Sequence, residues 1–196
     1  MFLAICRAFF RAQGWTLRGE EATVHRRCVV IAAPHTSNWD LVFTLAAFDM
    51  MNLPVRFTVK KEVTGFPAGI VINSVGGIGI DRSPKDGSTD RISMVDAMIR
   101  LFDEHPGDLA ITVTPEGTRS RREKWKSGFY HVAVGAGVPI LLGYLDYEKR
   151  EAGIGGVIHP SGDFEADMRE ITAFYRDIAP KKPELFSVDT RFVDAP

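Results

Sequence analysis

His35 and Asp40 stand five positions apart in the run His35-Thr36-Ser37-Asn38-Trp39-Asp40, which follows the apolar stretch 28–33 and opens a second, helix-like run. On a regular helix that interval separates two side chains by about 140°, so the pair cannot share a helical face. With His35 in the preceding turn and Asp40 in the first helical turn, the carboxylate can reach back to one imidazole nitrogen. It then fixes the tautomer and leaves the other nitrogen as a proton acceptor. Such a pair activates a hydroxyl carried by a substrate and needs no nucleophile from the protein. The plainer reading of the same spacing is a capping box, with Ser37 as N-cap, Asp40 three residues on, and His35 an exposed loop residue.

A second chemistry-bearing stretch is Pro115-Glu116-Gly117-Thr118-Arg119-Ser120, a carboxylate, a permissive glycine, two hydroxyls and a guanidinium in one turn. Arg121, Arg122, Lys124 and Lys126 extend its charge. The arginine fork suits phosphate, and glycine lets backbone approach a ligand, so an anionic substrate fits; taken alone, the stretch also reads as a solvated basic loop. Arg82 closes the segment 76–82, whose glycines spell neither a dinucleotide fingerprint nor a phosphate-binding loop, and an Asp81-Arg82 pair alone reads as a surface ion pair. His131 and His159 have no metal-ligand spacing, and no metal is expected.

These residues need elements to carry them, and the pattern is one of strands alternating with helices. Strands are expected at 28–33, 55–60, 76–82, 109–114, 140–147 and 155–159, and helices from Ser37 to about Asn52, from about Ser88 to Glu104, over 128–135, and over 163–178. Segment 65–75 shows no clear pattern. This predicts an α/β fold, a mostly parallel or mixed sheet flanked by helices, in which ligands bind beyond the carboxyl ends of the strands. His35 to Asp40, Asp81-Arg82 and 115–120 each follow an expected strand. At 196 residues, without repeat or linker, the chain reads as a single domain over 1–196.

Composition narrows the function. Twenty-four basic against 25 acidic residues leave a net charge of -1, which offers no overall field for nucleic acid. Cys6 and Cys28 lie in apolar surroundings, which suits a reducing compartment better than a disulfide framework. Residues 1–17 are apolar but interrupted by Arg7 and Arg11, too short to span a bilayer and without the basic start of a secretory signal, so a cytoplasmic chain is expected. On a helical wheel Arg7 and Arg11 share a narrow polar strip opposite Phe2, Ile5, Cys6, Phe9 and Phe10. Such an N-terminal amphipathic helix either lies on a membrane surface or packs on the core of its own domain.

Taken in order, four blocks resemble the glycerolipid acyltransferase family typified by lysophosphatidate acyltransferases: His35 to Asp40 with Ser37 between; Lys60-Lys61-Glu62 followed by Ile80-Asp81-Arg82; Glu116-Gly117-Thr118-Arg119-Ser120; and Gly137-Val138-Pro139-Ile140. The resemblance covers about residues 28–146. It implies His35 as general base on an acceptor hydroxyl and Asp40 as its orienter, with no acyl-enzyme. It also implies acceptor binding by Ser37, Lys61, Arg82, Glu116 and Arg119, with Gly117, Thr118 and Ser120 shaping the loop. No permanently bound cofactor is implied: the co-substrate would be acyl-CoA or acyl-carrier protein, and the acceptor a lysophospholipid such as lysophosphatidate. Alternatives within the resemblance are a non-phospholipid acceptor, such as a lyso-ornithine lipid, a sugar or a metabolite, or a lipid-binding module without turnover. Three positions depart from the family's pattern: Pro34 where asparagine is usual, Thr114 where an aromatic is frequent, and Gly79 where phenylalanine is common. Gly79 is expected to reshape the acceptor pocket. Residues 1–14 are expected to serve as a peripheral anchor on the inner face of the membrane in place of a transmembrane one.

Overall fold

The computed structural model describes residues 2–19, 24–60, 65, 76–80 and 92–193. Its strands are β1 (Thr16–Arg18), β2 (Arg27–Ala33), β3 (Val55–Lys60), β4 (Gly77–Ile80), β5 (Leu109–Val113), β6 (Ile140–Asp146) and β7 (Glu151–Ile158). All seven join one sheet in the order β1-β7-β6-β2-β5-β3-β4. The five from β6 to β4 run parallel, while β7 returns antiparallel to β6 and carries β1 beside it. The sheet is therefore mixed, with a parallel centre.

The central strand β2 has no solvent-facing side: Cys28, Val29, Val30 and Ile31 are fully buried, as expected of a parallel strand covered on both faces. One face is covered by α3 (Met94–Glu104), α4 (Gly128–Ala136) and α5 (Phe164–Arg176), whose Met98, Phe102, Phe129, Val132, Met168 and Ile171 pack on Val29, Ile31 and Ile111. Ser93 caps α3 by accepting the Asp96 N–H, Asp163 caps α5, and Gly137 ends α4 at φ 63°. On the other face α2 (Trp39–Met50) packs Phe48 on Val30 and Leu141, and α1 (Phe2–Ala12) packs against α2.

Helix α1 packs one face on the domain and leaves the other exposed. Cys6 and Phe10 are buried among Trp15, Phe43, Ala46 and Ala47, whereas Phe2 and Ile5 are 48% and 59% exposed. Arg7 is not spent on a solvent-facing strip, because it pairs with Asp49 of α2. Among the described residues no helix is long and apolar enough to cross a membrane.

Several element boundaries differ from expectation, among them the start of α3, which begins at Met94 after its Ser93 cap instead of near Ser88. β1 was not anticipated, because three residues carry no periodicity and form a strand only by pairing with β7 far along the chain. β7 begins at Glu151, four residues before the expected start, since its register is set by the antiparallel pairing of Asp146 with Glu151. The start of α2 moves by one residue: Asn38 is the N-cap and makes no side-chain capping bond, while the Ser37 hydroxyl accepts the Trp39 N–H. The expected strand end at 81–82 and helix start at 88–91 lie outside the described residues, as do 61–64 and most of 65–75.

Candidate active site

Sheet register brings the chemistry together. Ile31 of β2 pairs with Val113 of β5, so the chains leaving those two strands run side by side. His35, four residues on, then meets Glu116, three residues on, and the Glu116 Oε1 accepts the His35 backbone N–H at 2.9 Å. Ala33 of β2 pairs with Tyr144 of β6, which sets Tyr147 beside the start of α2 in the same way. The Ala33–Pro34 bond is cis.

His35 Nδ1 lies 3.5 Å from Asp40 Oδ2, and the imidazole remains partly exposed while the carboxylate is buried. The backbone N–H groups of Thr36 and Ser37 both donate to Oδ2 at 2.7 Å, and the Tyr147 phenol donates to Oδ1 at 2.7 Å. Burial by itself would push this carboxyl up, but the hydrogen bonds from His35, Tyr147, Ser37 and Thr36 outweigh it and hold Asp40 below the usual carboxylate range. An ionised carboxylate thus faces one ring nitrogen, and the other is left to accept a proton. Cap and dyad are one arrangement: the carboxylate that ties down the backbone ahead of α2 is also the one beside His35.

His35, Asn38, Asp40 and Leu41 line a cavity of about 1060 Å³ at the carboxyl ends of β2, β5 and β3. Its walls include Leu45, Phe48, Phe57, Met98, Phe129 and Val132, and Arg119 and Lys126 are its cations among the described residues. Gly117 sits at φ 65°, a left-handed conformation that favours glycine, and the end of the Lys126 side chain lies over it. The Lys126 N–H closes the loop onto the Pro115 carbonyl at 2.9 Å. Apolar walls with a few cations suit an amphiphile bearing an anionic group.

The expected site residues separate as follows. His35 and Asp40 meet, and Gly117 and Arg119 join them around the cavity. Ser37 is buried in the turn ahead of α2, Thr118 accepts the Ser120 N–H at 3.3 Å within its own loop, and Ser120 is exposed. Glu116 lies behind His35; burial pushes its carboxyl up to about 7 against the hydrogen bonds from its own and the His35 backbone. Lys61 and Arg82 lie outside the described residues. Gly79 lies on β4 in register with Val59.

Two contributors escaped sequence reasoning. Lys126 reads as one more charge in a basic run until the loop folds it over Gly117. Tyr147 is 107 residues from Asp40, and its only signal is its place at the end of a strand neighbouring β2. The C-terminal stretch was also unforeseen: the Lys182 N–H donates to the Thr36 hydroxyl at 3.3 Å, and Asp189 accepts the Trp125 N–H at 3.0 Å, so one segment straps both loops.

The Acyltransferase family model matches residues 15–141. A 1-acyl-sn-glycerol-3-phosphate acyltransferase of Haemophilus influenzae is 28% identical over 165 residues, which are 76% of this chain and 65% of that protein. The protein of the same name in Salmonella typhimurium is 30% identical over 116 residues, 57% of this chain and 44% of its own length. The chain thus spans less than two thirds of the curated relatives it matches. Among solved structures, the 1-acyl-sn-glycerophosphate acyltransferase PlsC from Thermotoga maritima shares the fold, with a TM-score of 0.56 over 89% of this chain and 77% of that one at 19% identity. The matched residues run from Trp15 into β6 and include both the His35 and the Glu116 turns, so the chain belongs to the Acyltransferase family.

Proposed function

We propose that the protein transfers a fatty acyl group from the thioester of acyl-CoA or acyl-carrier protein to a hydroxyl of a lysophospholipid such as lysophosphatidate. The observation that carries this reading is a partly exposed histidine beside a buried, ionised aspartate at the edge of an apolar cavity bearing Arg119 and Lys126. In this reading His35 Nε2 takes the proton of the acceptor hydroxyl as its oxygen attacks the thioester carbonyl. The C–S bond breaks, the proton passes from His35 to the departing sulfur, and no acyl-enzyme forms. Asp40 stabilises the transient imidazolium, Arg119 and Lys126 pair with the acceptor's phosphate, and the apolar walls take the chains.

The acceptor's amphiphilic nature requires access to a lipid surface, and the exposed Phe2 and Ile5 of α1 support peripheral attachment there. In this proposal the attachment is to the inner, cytoplasmic face of the membrane. Thiol release from acyl-CoA and from acyl-carrier protein, followed with lysophosphatidate, a lyso-ornithine lipid and a sugar as acceptors, tests the reading. Acceptor-dependent release is expected with lysophosphatidate, falling at least about 100-fold in His35→Ala. Binding of acceptor without release, or release indifferent to His35, would sink it.

A further inference from the structure

Asp40 has two oxygens with different tasks. Oδ2 receives the two backbone N–H groups and faces His35, while Oδ1, in a residue only 3% exposed, receives the Tyr147 phenol. The backbone donors cannot be adjusted by a side-chain change, but the phenol can. A hydrogen bond to one oxygen of a carboxylate draws charge toward that oxygen and away from the other. The strength of the Tyr147 bond therefore sets how much negative charge His35 experiences.

Tyr147 is built to hold that bond in one direction. Its ring stands edge-on to Trp15 at 4.9 Å and to Phe43 at 5.9 Å, with interplanar angles of 89° in both cases. Its backbone N–H donates to the Ala179 carbonyl at 2.8 Å. Lys181 Nζ lies 5.1 Å from the ring centroid, and a cation over the π face polarises the phenol toward a stronger donor. The phenol therefore stays a donor at every working pH: burial, and then the Asp40 charge, drive its own ionisation far above the usual phenol range.

We infer that Tyr147 is a positioning residue of the dyad, fixing the plane of the Asp40 carboxylate and moderating the charge it turns toward His35. This rests on the general-base reading of His35. Other charges near the network are Glu116 behind His35, Arg119 and Lys126 at the cavity, Lys181 over the ring, and Asp146 and Lys149, which pair with each other at 3.1 Å in the turn holding Tyr147. None of them reaches Oδ1 among the described residues, so the phenol is the adjustable contact.

Tyr147→Phe keeps the ring contacts and deletes the donor. Without it the Asp40 charge concentrates toward His35, which then holds its proton to higher pH. The expected result is a kcat lower by about ten-fold near neutrality, an unchanged KM for the acceptor, and an acid limb of the pH profile displaced upward. Site-specific 3-fluorotyrosine at Tyr147 strengthens the donor and should displace the acid limb downward, which covers the case of a poorly folding Tyr147→Phe. The His35 ring resonances, assigned by their loss in His35→Ala and titrated by NMR, should move in the same two directions without any turnover. A parent chain with no acceptor-dependent thiol release would end the acyl-transfer reading, and the titration would still decide the coupling. A Tyr147→Phe protein that is only less stable, with kcat and the His35 titration unmoved, would overturn the role given to Tyr147.

Discussion

At the scale of single residues, Glu116 does more than its place in a short polar motif suggests. In the sequence it reads as one more polar group of an anion-binding turn, and the resemblance implies contact with the acceptor. The structure gives its Oε1 to the His35 backbone, and its Oε2 is buried with no hydrogen-bond partner among the described residues. Burial raises its folded pKa from 4.5 to about 7. A carboxyl raised in this way favours the native state while it is protonated. Its contribution is complete below the unfolded pKa near 4.5 and is lost as pH rises through about 7. Glu116→Gln keeps an oxygen for the His35 N–H and removes the ionisation. Between pH 5 and 8 the parent should lose on the order of 3 kcal/mol more than this variant. Denaturant unfolding at pH 5, 6.5 and 8 measures it, and parallel stability curves for the two proteins would exclude the linkage. Such a role was not legible beforehand, because a buried and an exposed glutamate look alike in a short polar motif.

At the scale of elements, the strands and helices flanking the site were readable, since β2, β5 and β6 are short apolar runs and α3 and α5 begin with side-chain caps. What could not be read were elements held by distant partners: β1, the first half of β7, and the segment after α5 that straps the two loops. Asp189 is the anchor of that strap. Fully buried, it accepts the Trp125 N–H and pairs with Arg191, whose guanidinium also donates to the Trp125 carbonyl. Asp189→Ala leaves both donors short of a partner beside the loop that carries Arg119 and Lys126. We expect a loss of about 2–4 kcal/mol and a raised KM for an anionic acceptor. The denaturation midpoint should fall at constant m, and a cycle with Arg191→Ala should show strong coupling. Gly143 sets a second constraint at this scale, for a Cβ there would lie 2.6 Å from the Ile31 carbonyl oxygen. Gly143→Ala must push β6 from β2, a change worth about 1–3 kcal/mol that also displaces Tyr147 from Asp40. A variant with parental stability and activity would show that the two strands are free to separate.

At the scale of the whole molecule, α1 joins an observed packing face to the lipid-facing surface proposed above. Periodicity alone allowed it to pack on the domain or to lie on a membrane, and the structure shows which residues pack and which stay exposed. Phe10 and Cys6 belong to the core with Trp15 and Phe43, while Phe2 and Ile5 point away from it. Phe9 connects the two sides: helical spacing places it in line with Phe2 and Ile5, and it stacks on the half-exposed Trp39 at 5.2 Å. Trp39 opens α2 four residues after His35, so an apolar surface runs from α1 to the start of the helix that carries Asp40. Deleting α1 would therefore uncover the core as well as remove an anchor, and could not tell the two apart. Point changes can. Phe10→Ala should cost about 3–5 kcal/mol of stability. The pair Phe2→Ser and Ile5→Ser should leave stability almost unchanged but weaken binding to anionic phospholipid vesicles by ten-fold or more, at about 1.5 kcal/mol for each side chain no longer buried. Turnover of an acceptor dispersed in vesicles should fall with it, while turnover of a short-chain, monomeric acceptor should not. If vesicle sedimentation and vesicle turnover were both indifferent to the pair, the outward face of α1 would have no part in reaching the lipid, and the acceptor would have to arrive from solution.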